Sequence, residues 1–432
     1  MDALLKALRG WCQRLGADRT YWLAYSGGLD SAVLLHLATQ LPEFHFKVIH
    51  IHHGINPKAD DWALHAEAKA KAAGFAFVCE RLGLSQTKGE SLEAEARERR
   101  YQALAKHLQT NEVIFTAHHQ DDQAETLLLQ LTRGAGLPGL AAMPAQKPFH
   151  AGVLVRPLLN ANRADLLSVA AQAGLSWVED DSNLCTNYTR NFLRHHILPT
   201  LKARWPSITK TLARSAEHCA ETQALLSHLL SQPLKATQGT LPNTLSVSAL
   251  NAHSPALQKA FIREWVMQAG HEMPSTKKLD TILTTVLTAA WDKSACVSFG
   301  EVSVRRHKDN LHLVLNNTPD LNFSREWVLG TPLVLPDQTQ LKTEARQGVG
   351  FSSRFHTLTV KYRTGGEKIA LPGRGRQSLK NLFQTWGVLP WERNGWPLLF
   401  DGEVLVGVVG WVYDENYLAK PGEPGLAVIW ER

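Results

Sequence analysis

Short apolar runs alternate with segments of helical period over residues 21–173, and this alternation limits the possible folds more than any other feature of the chain. Residues 21–25, 46–51, 75–82, 113–117 and 153–156 read as strands. Residues 32–38, 60–74, 91–108, 121–133 and 163–173 read as helices, with Ser91 a suitable N-cap and Gly74 a suitable C′ residue. Strands separated by helices predict an α/β fold with a parallel sheet covered on both faces. Such sheets bind ligands beyond the carboxyl ends of their strands. The 26–31 turn, His52-His53 and His118-His119 each follow an expected strand, so they are predicted to meet on one edge.

The turn is Ser26-Gly27-Gly28-Leu29-Asp30-Ser31. Two glycines let the backbone approach a ligand closely, and their amides can form an anion-binding nest. The helix that follows offers its first amides and the positive end of its dipole to the same anion. Ser26 and Ser31 add hydroxyl donors. Asp30 would repel phosphates unless it holds Mg²⁺, which bridges carboxylate and phosphate oxygens. No G-x-x-x-x-G-K-[ST] sequence is present. A bare Ser-Gly-Gly is common turn chemistry, but the six residues between a strand and a helix read as a pyrophosphate cradle. They point to an ATP-consuming ligase or transferase.

The remainder of the chain bounds this reading. A length of 432 residues suggests about three domains. Helical period dominates residues 201–293, while residues beyond 322 carry short strands and many glycines. The expected domains are 1–205, a mainly helical 206–320, and a small mixed α+β domain over 348–432, after a linker with Pro332 and Pro336. The five cysteines form no C-x-x-C pair, which argues against a disulfide framework, a structural zinc or an iron–sulfur cluster. No stretch reaches the ~18 apolar residues of a membrane span, and the N-terminus lacks a signal peptide's apolar run. A cytoplasmic protein without a membrane partner is expected. The net charge of +6 permits a polyanionic partner.

In this setting S-G-G-L-D-S resembles the loop of the PP-loop ATP pyrophosphatases, which cleave ATP between the α and β phosphates. Four further segments narrow the likeness: 93–101 (EAEARERRY), 117–126 (AHHQDDQAET), 178–183 with 188–194 (VEDDSN and YTRNFLR), and the block from Leu371 to Asp401. Together they resemble the tRNA(Ile)-lysidine synthetases over almost the whole chain, in their long bacterial form with two C-terminal domains. The resemblance implies ATP-dependent attachment of L-lysine to the wobble cytidine of an isoleucine tRNA with a CAU anticodon, through an adenylated cytidine. Codon reading then changes from AUG to AUA. It implies ATP and Mg²⁺ as cofactors and permits a homodimer.

Residues 26–31 would bind the nucleotide, with Asp30 as metal ligand and catalytic residue. Asp122 and Glu125 lie three apart, on one face of a helix's first turn, where acids are also ordinary dipole chemistry. The resemblance links them to lysine, and His118 to nucleotide or cytosine. A transition-metal site at His118-His119-x-Asp121 is the weaker reading. Arg97, Arg190 and Arg194 are candidates for phosphate or transition-state charge, because a guanidinium stays protonated and pairs bidentately with phosphate. Asn191 joins them through the resemblance. Asp180, Asp181 and Asn183 form a polar turn, and Asn183 alone reads as a helix cap.

Between Leu341 and Asn394 ten Lys/Arg stand against three acids. Tyr362, Phe383, Trp386 and Trp391 are interleaved. Basic groups neutralise phosphates and aromatics stack on unpaired bases, although a solvated face over core aromatics gives the same pattern. Arg363, Lys368, Arg374, Arg376 and Lys380 are the expected tRNA contacts, near the acceptor stem. Two other functions fit the loop. A tRNA thiolase is disfavoured by the scattered cysteines, and a non-enzymatic RNA-binding protein by the intact Asp30 and loop glycines.

Overall fold

Tyr21, Trp22 and Leu23 are consecutive and all buried, because the first strand has a helical layer on each face. Tyr21 and Leu23 pack with one core, and Trp22 points into another with Ile49, Leu104, Ile114 and Leu154. The computed structural model describes residues 1–54, 56–83, 92–181, 185–290, 295–316, 320, 322–371 and 375–431, with backbone alone for 92–94. Ser91, Asn183 and Arg374 lie outside the described residues. The chain divides into two units, Met1–Leu229 and Leu230–Arg432.

The first unit runs α1 (Asp2–Leu15), β1 (Thr20–Ala24), α2 (Leu29–Thr39), β2 (His45–His52), α3 (Ala59–Ala72), β3 (Ala76–Arg81), α4 (Leu92–Lys106), β4 (Val113–Phe115) and α5 (Gln120–Thr132). It continues through α6 (Leu137–Leu140), β5 (Gln146–Phe149), β6 (Gly152–Val155), α7 (Arg163–Gln172), α8 (Thr189–Phe192), a π-helical turn at Leu193–Ile197 and α9 (Leu198–Arg204). The helix Ile208–Ala236 follows. Each expected strand and helix is present within a few residues. Gly74, at φ 76°, closes α3 as expected: its amide donates to Lys71 and that of Phe75 to Ala70.

The strand order is β3-β2-β1-β4-β6-β5, parallel throughout except for β5. From β1 the chain builds outward through β2 and β3, then returns to the other side of β1 with β4. The carboxyl ends of β1 and β4 therefore flank a topological switch point, where such sheets open a ligand crevice. The antiparallel edge strand β5 was not expected. Its sequence Gln146-Lys147-Pro148-Phe149 lacks alternation, and Pro148 is tolerated because the strand is an edge.

In the second unit, Leu245–Ser246, Asn310–Leu315, Val302–His307 and Cys296–Phe299 form a four-stranded antiparallel sheet. The helix Pro255–Gln268 buries Phe261, Ile262, Trp265 and Val266. The mainly helical middle region thus also carries a sheet, most of it beyond residue 295. The start at 348 needs correcting. Ser324–Val328 pairs with Thr357–Lys361, and Gln340–Gln347 pairs along its whole length with Pro424–Glu431. Residues 324–347 are therefore strands of the final sheets. Pro332 and Pro336 only flank the short strand Leu333–Val334, whose partner is Gln340–Gln347.

Candidate functional site

The 26–31 turn joins β1 to α2, and Gly27 sits at φ 89°, where an L side chain is strained. The Gly27 carbonyl accepts from the Val178 amide at 2.9 Å, tying the turn to the 178–181 segment. The serines serve the loop itself. Ser31 Oγ donates to the Gly28 carbonyl at 2.9 Å and lies 3.1 Å from Ser26 Oγ, which accepts from the Gly28 amide at 3.4 Å. The hydroxyls expected as anion donors also shape the turn, beside the first amides of α2.

Asp30 lies in the first turn of α2. Its Oδ1 is buried and has no hydrogen-bond partner among the described residues, and its Oδ2 lies 3.5 Å from His119 Nε2. Among the described residues no group of three or more His, Cys, Asp or Glu could hold a metal, which includes His118-His119-Asp121. One carboxylate with an unused oxygen still suits Mg²⁺, which completes its shell with substrate phosphates and water.

His119 caps α5: its Nδ1 accepts from the Asp121 amide at 3.2 Å, and its own amide donates to Asp122 Oδ2 at 3.0 Å. Burial disfavours its protonation, yet the Asp30 hydrogen bond and the Asp122, Asp30 and Asp121 carboxylates outweigh burial and raise its pKa. Protonating Nδ1 has to break the cap. His118 hydrogen-bonds Thr116 Oγ1 through Nδ1 at 2.9 Å. Burial first, then Arg156, Arg190 and Arg100, holds it neutral against the pull of Asp122.

Asp122 and Glu125 share a face of α5, as their spacing predicts, but they meet the two arginines before any ligand. Arg190 donates from Nε to Glu125 Oε2 at 2.7 Å and from Nη2 to Asp122 Oδ1 at 3.0 Å. Arg194 donates from Nε to Glu125 Oε1 at 2.7 Å, from Nη2 to Glu125 Oε2 at 2.9 Å, and from Nη2 to Asp122 Oδ1 at 3.3 Å. Glu125 is only 1% exposed. Burial pushes the Asp122 carboxyl up, but His119, Arg190 and His118 hold it well below the usual range. Two acids and two guanidinium groups make a neutral cluster. A carboxylate has about four acceptor sites, so Asp122 Oδ2 and Glu125 Oε1 each retain room for one more donor.

Other predicted residues are placed differently. Asn191 donates from Nδ2 to the Cys185 carbonyl at 3.0 Å, bracing the chain ahead of α8. Arg97 lies on α4 over the Tyr101 ring, 5.5 Å from its centroid. Residues 178–181 are anchored through Lys58 to Asp181 at 2.7 Å. The sequence reading missed the Lys202–Asp121 pair at 2.5 Å and a cleft of ≈ 240 Å³ lined by Asp121, Glu125, Arg163, Arg194, His195 and Lys202. It also missed Arg156, although this residue ends a predicted strand at the same sheet edge.

In the last sheets, Lys368 pairs with Ser378 and Ala370 with Arg376 across a hairpin. Cross-strand partners share a face, so Lys368 and Arg376 project together, opposite the buried Ile369. Lys380 is exposed on the helix Leu379–Thr385. Arg363 donates to Glu367 Oε2 at 3.3 Å, while Glu367 also accepts from the Thr364 and Gly365 amides. Its guanidinium is thus partly committed to a turn. Tyr362 and Phe383 are core residues, closed to base stacking. Trp386 stacks on Trp411 at 4.9 Å, and Trp391 packs edge-on against His312.

A parallel sheet with this six-residue turn at its switch point defines a PP-loop protein, and the PP-loop domain model matches residues 6–201. Two further models match, a TilS substrate binding domain at 245–312 and a TilS substrate C-terminal domain at 358–430. The tRNA(Ile)-lysidine synthase of Coxiella burnetii is 40% identical over 428 residues, 96% of this chain and 94% of that protein. That of Methylococcus capsulatus is 40% identical over 425 residues, covering 95% and 96%. That of Escherichia coli O157:H7 is 37% identical over 426 residues, covering 97% and 98%. The chain belongs to the tRNA(Ile)-lysidine synthase family. Among the described residues no helix is long and apolar enough to cross a membrane.

Proposed function

We propose that this protein is a ligase that forms lysidine in the cytoplasm, joining L-lysine to the wobble cytidine of the CAU-anticodon isoleucine tRNA at the expense of ATP. The observation that carries the reading is the Asp30–His119 contact, which sets the nucleotide loop against the helix bearing Asp122 and Glu125. Likeness to the named synthases over nearly the full chain supports it.

The reaction has two displacements. The cytosine C2 oxygen attacks the α-phosphorus of ATP; a P–O bond forms, the α–β bridging bond breaks, and pyrophosphate leaves toward the 26–31 turn. The lysine ε-nitrogen then attacks C2, a C–N bond forms, the C–O bond to AMP breaks, and the amine loses a proton. The α2 N-terminal amides receive the charge on the departing pyrophosphate. Asp30 would hold Mg²⁺, which would supply electrostatic stabilisation of phosphate oxygens. His118, kept neutral, offers Nε2 to a base edge as donor or acceptor. Because the target lies in a single-stranded loop, it enters the site with little unpairing cost.

Lysine is read at the cleft beside Glu125, whose acidic and basic lining suits a zwitterion. Its amine takes the acceptor sites left on Glu125 and Asp122, while Arg190 and Arg194 keep the cluster neutral and turn their remaining N–H groups toward phosphate. Lys368, Arg376 and Lys380 contact the tRNA backbone. The test is incubation with ATP, labelled lysine and the CAU-anticodon transcript. Lysine should enter the RNA with release of AMP and pyrophosphate; sulfur transfer or binding without turnover would sink the reading.

A further inference from the structure

One group of cations has no role in that scheme. Tyr101, on α4, has Arg97, Arg100 and Lys147 over its ring, at 5.5, 5.6 and 5.2 Å from the centroid. Arg156, directly after β6, also approaches the phenol. Arg156 is 3% exposed; its Nη1 donates to the Pro144 carbonyl at 2.6 Å, while its Nε is buried without a hydrogen-bond partner among the described residues. Among the described residues none of the four cations forms an ion pair with a carboxylate.

Such a cluster is unfavourable by itself. Burying a guanidinium without compensation is costly, and like charges around one ring add repulsion. A single phenol offers at most one negative charge against four positive. Burial of Tyr101 pushes its pKa up, but Arg97, Arg100, Arg156 and Lys147 outweigh burial and lower it. Burial first, with Arg97 adding to it against the pull of Tyr101, lowers the pKa of Arg156, and burial comes first for Lys147 as well. The surroundings therefore demand an anion. Arginine and lysine together, with donors aimed from a helix, an edge strand and a strand end, match the oxygens of a phosphate.

The location is specific. Arg156 follows β6 as His118 follows β4, so both stand on the ligand edge of the sheet, and Arg100 and Arg156 both act electrostatically on His118. The site lies on the β6 side of His118, whereas the 26–31 turn lies on the β1 side. We propose that Arg97, Arg100, Lys147 and Arg156, gathered about Tyr101, form a phosphate-binding subsite next to the reacting base. It rests on the reading above only for the identity of that base. The occupant is a phosphodiester flanking the target nucleotide or a phosphate of ATP.

The test uses the full chain with Lys147→Gln and Arg100→Gln, two residues that keep more exposed surface than Arg156. Circular dichroism and a melting curve establish that each variant is folded. The tRNA dissociation constant is measured over a salt series, and the ATP KM by pyrophosphate release. Removing one charge-assisted hydrogen bond predicts about tenfold weaker binding. A rise in the tRNA constant, with a salt slope smaller by about 0.7, identifies a phosphodiester. A rise in ATP KM identifies the nucleotide. Lys147→Arg should retain binding. Folded variants with both constants unchanged overturn the subsite. A wild-type protein that binds both ligands normally but forms no lysidine would instead sink the function and leave the subsite standing.

Discussion

Glu125 and Arg194 form a two-point ion pair, Nε to Oε1 at 2.7 Å and Nη2 to Oε2 at 2.9 Å, with the carboxylate almost fully withdrawn from solvent. Arg190 completes it from the other side. The pair couples stability to substrate handling, since the same oxygens that balance the arginines are those read as receiving lysine.

Glu125→Gln should therefore unfold the first unit more easily. Removing one partner of a buried ion pair costs roughly 3–5 kcal/mol, because the other charge remains uncompensated. The double variant Glu125→Leu with Arg194→Met should recover part of this stability while remaining inactive. Urea unfolding of wild type and both variants checks it; a single variant as stable as wild type would contradict the pairing.

Asp30→Ala should abolish pyrophosphate release, with a drop on the order of 10²-fold or more, the scale of losing a preorganised electrostatic group. The protein should stay folded, because Asp30 gives up only the 3.5 Å Oδ2 contact with His119, its buried Oδ1 having no hydrogen-bond partner among the described residues. Near-normal turnover across a Mg²⁺ titration would remove Asp30 from the metal role.

His312, in the second unit, predicts a pH dependence. Its Nε2 is buried without a hydrogen-bond partner among the described residues, and burial first, then His307, pushes its pKa down from 6.5 to about 4. Between these values the unfolded chain binds more protons than the folded one. Stability from this group is fully present above about pH 6.5 and is lost as the pH falls toward 4. His312→Leu should flatten this limb in urea unfolding followed at pH 7, 6 and 5. An equal slope in variant and wild type would refute the assignment.

Lys368 and Arg376 share the solvent face of one hairpin, so replacing both by Gln should weaken tRNA binding without altering ATP KM. The slope of log K against log salt should fall by about 0.7–0.9 for each phosphate that is no longer neutralised. Arg363→Gln should act differently, loosening the Thr364–Gly365 turn held by Glu367. Filter binding at four salt concentrations distinguishes the two.

Period, turn chemistry and motif spacing determined much from sequence alone. The parallel sheet, the loop after β1, the capping glycine of α3 and the shared face of Asp122 and Glu125 follow from interactions within a few residues, which local sequence encodes. Other outcomes needed the tertiary structure. Arg190 and Arg194 reach acids 65 to 72 residues away, so no spacing rule shows that each set neutralises the other. The cations about Tyr101 come from α4, β5 and the end of β6, brought together by an edge strand that Pro148 disguises. Tyr362 and Phe383 read as RNA-facing until packing buried them, and residues 324–347 read as a linker until Gln340–Gln347 found its partner near the end of the chain. The Ser26–Ser31 loop stands where it was expected. Its serines, however, shape the turn itself, and it is His119 across the switch point that links Asp30 to the residues read as choosing the substrate.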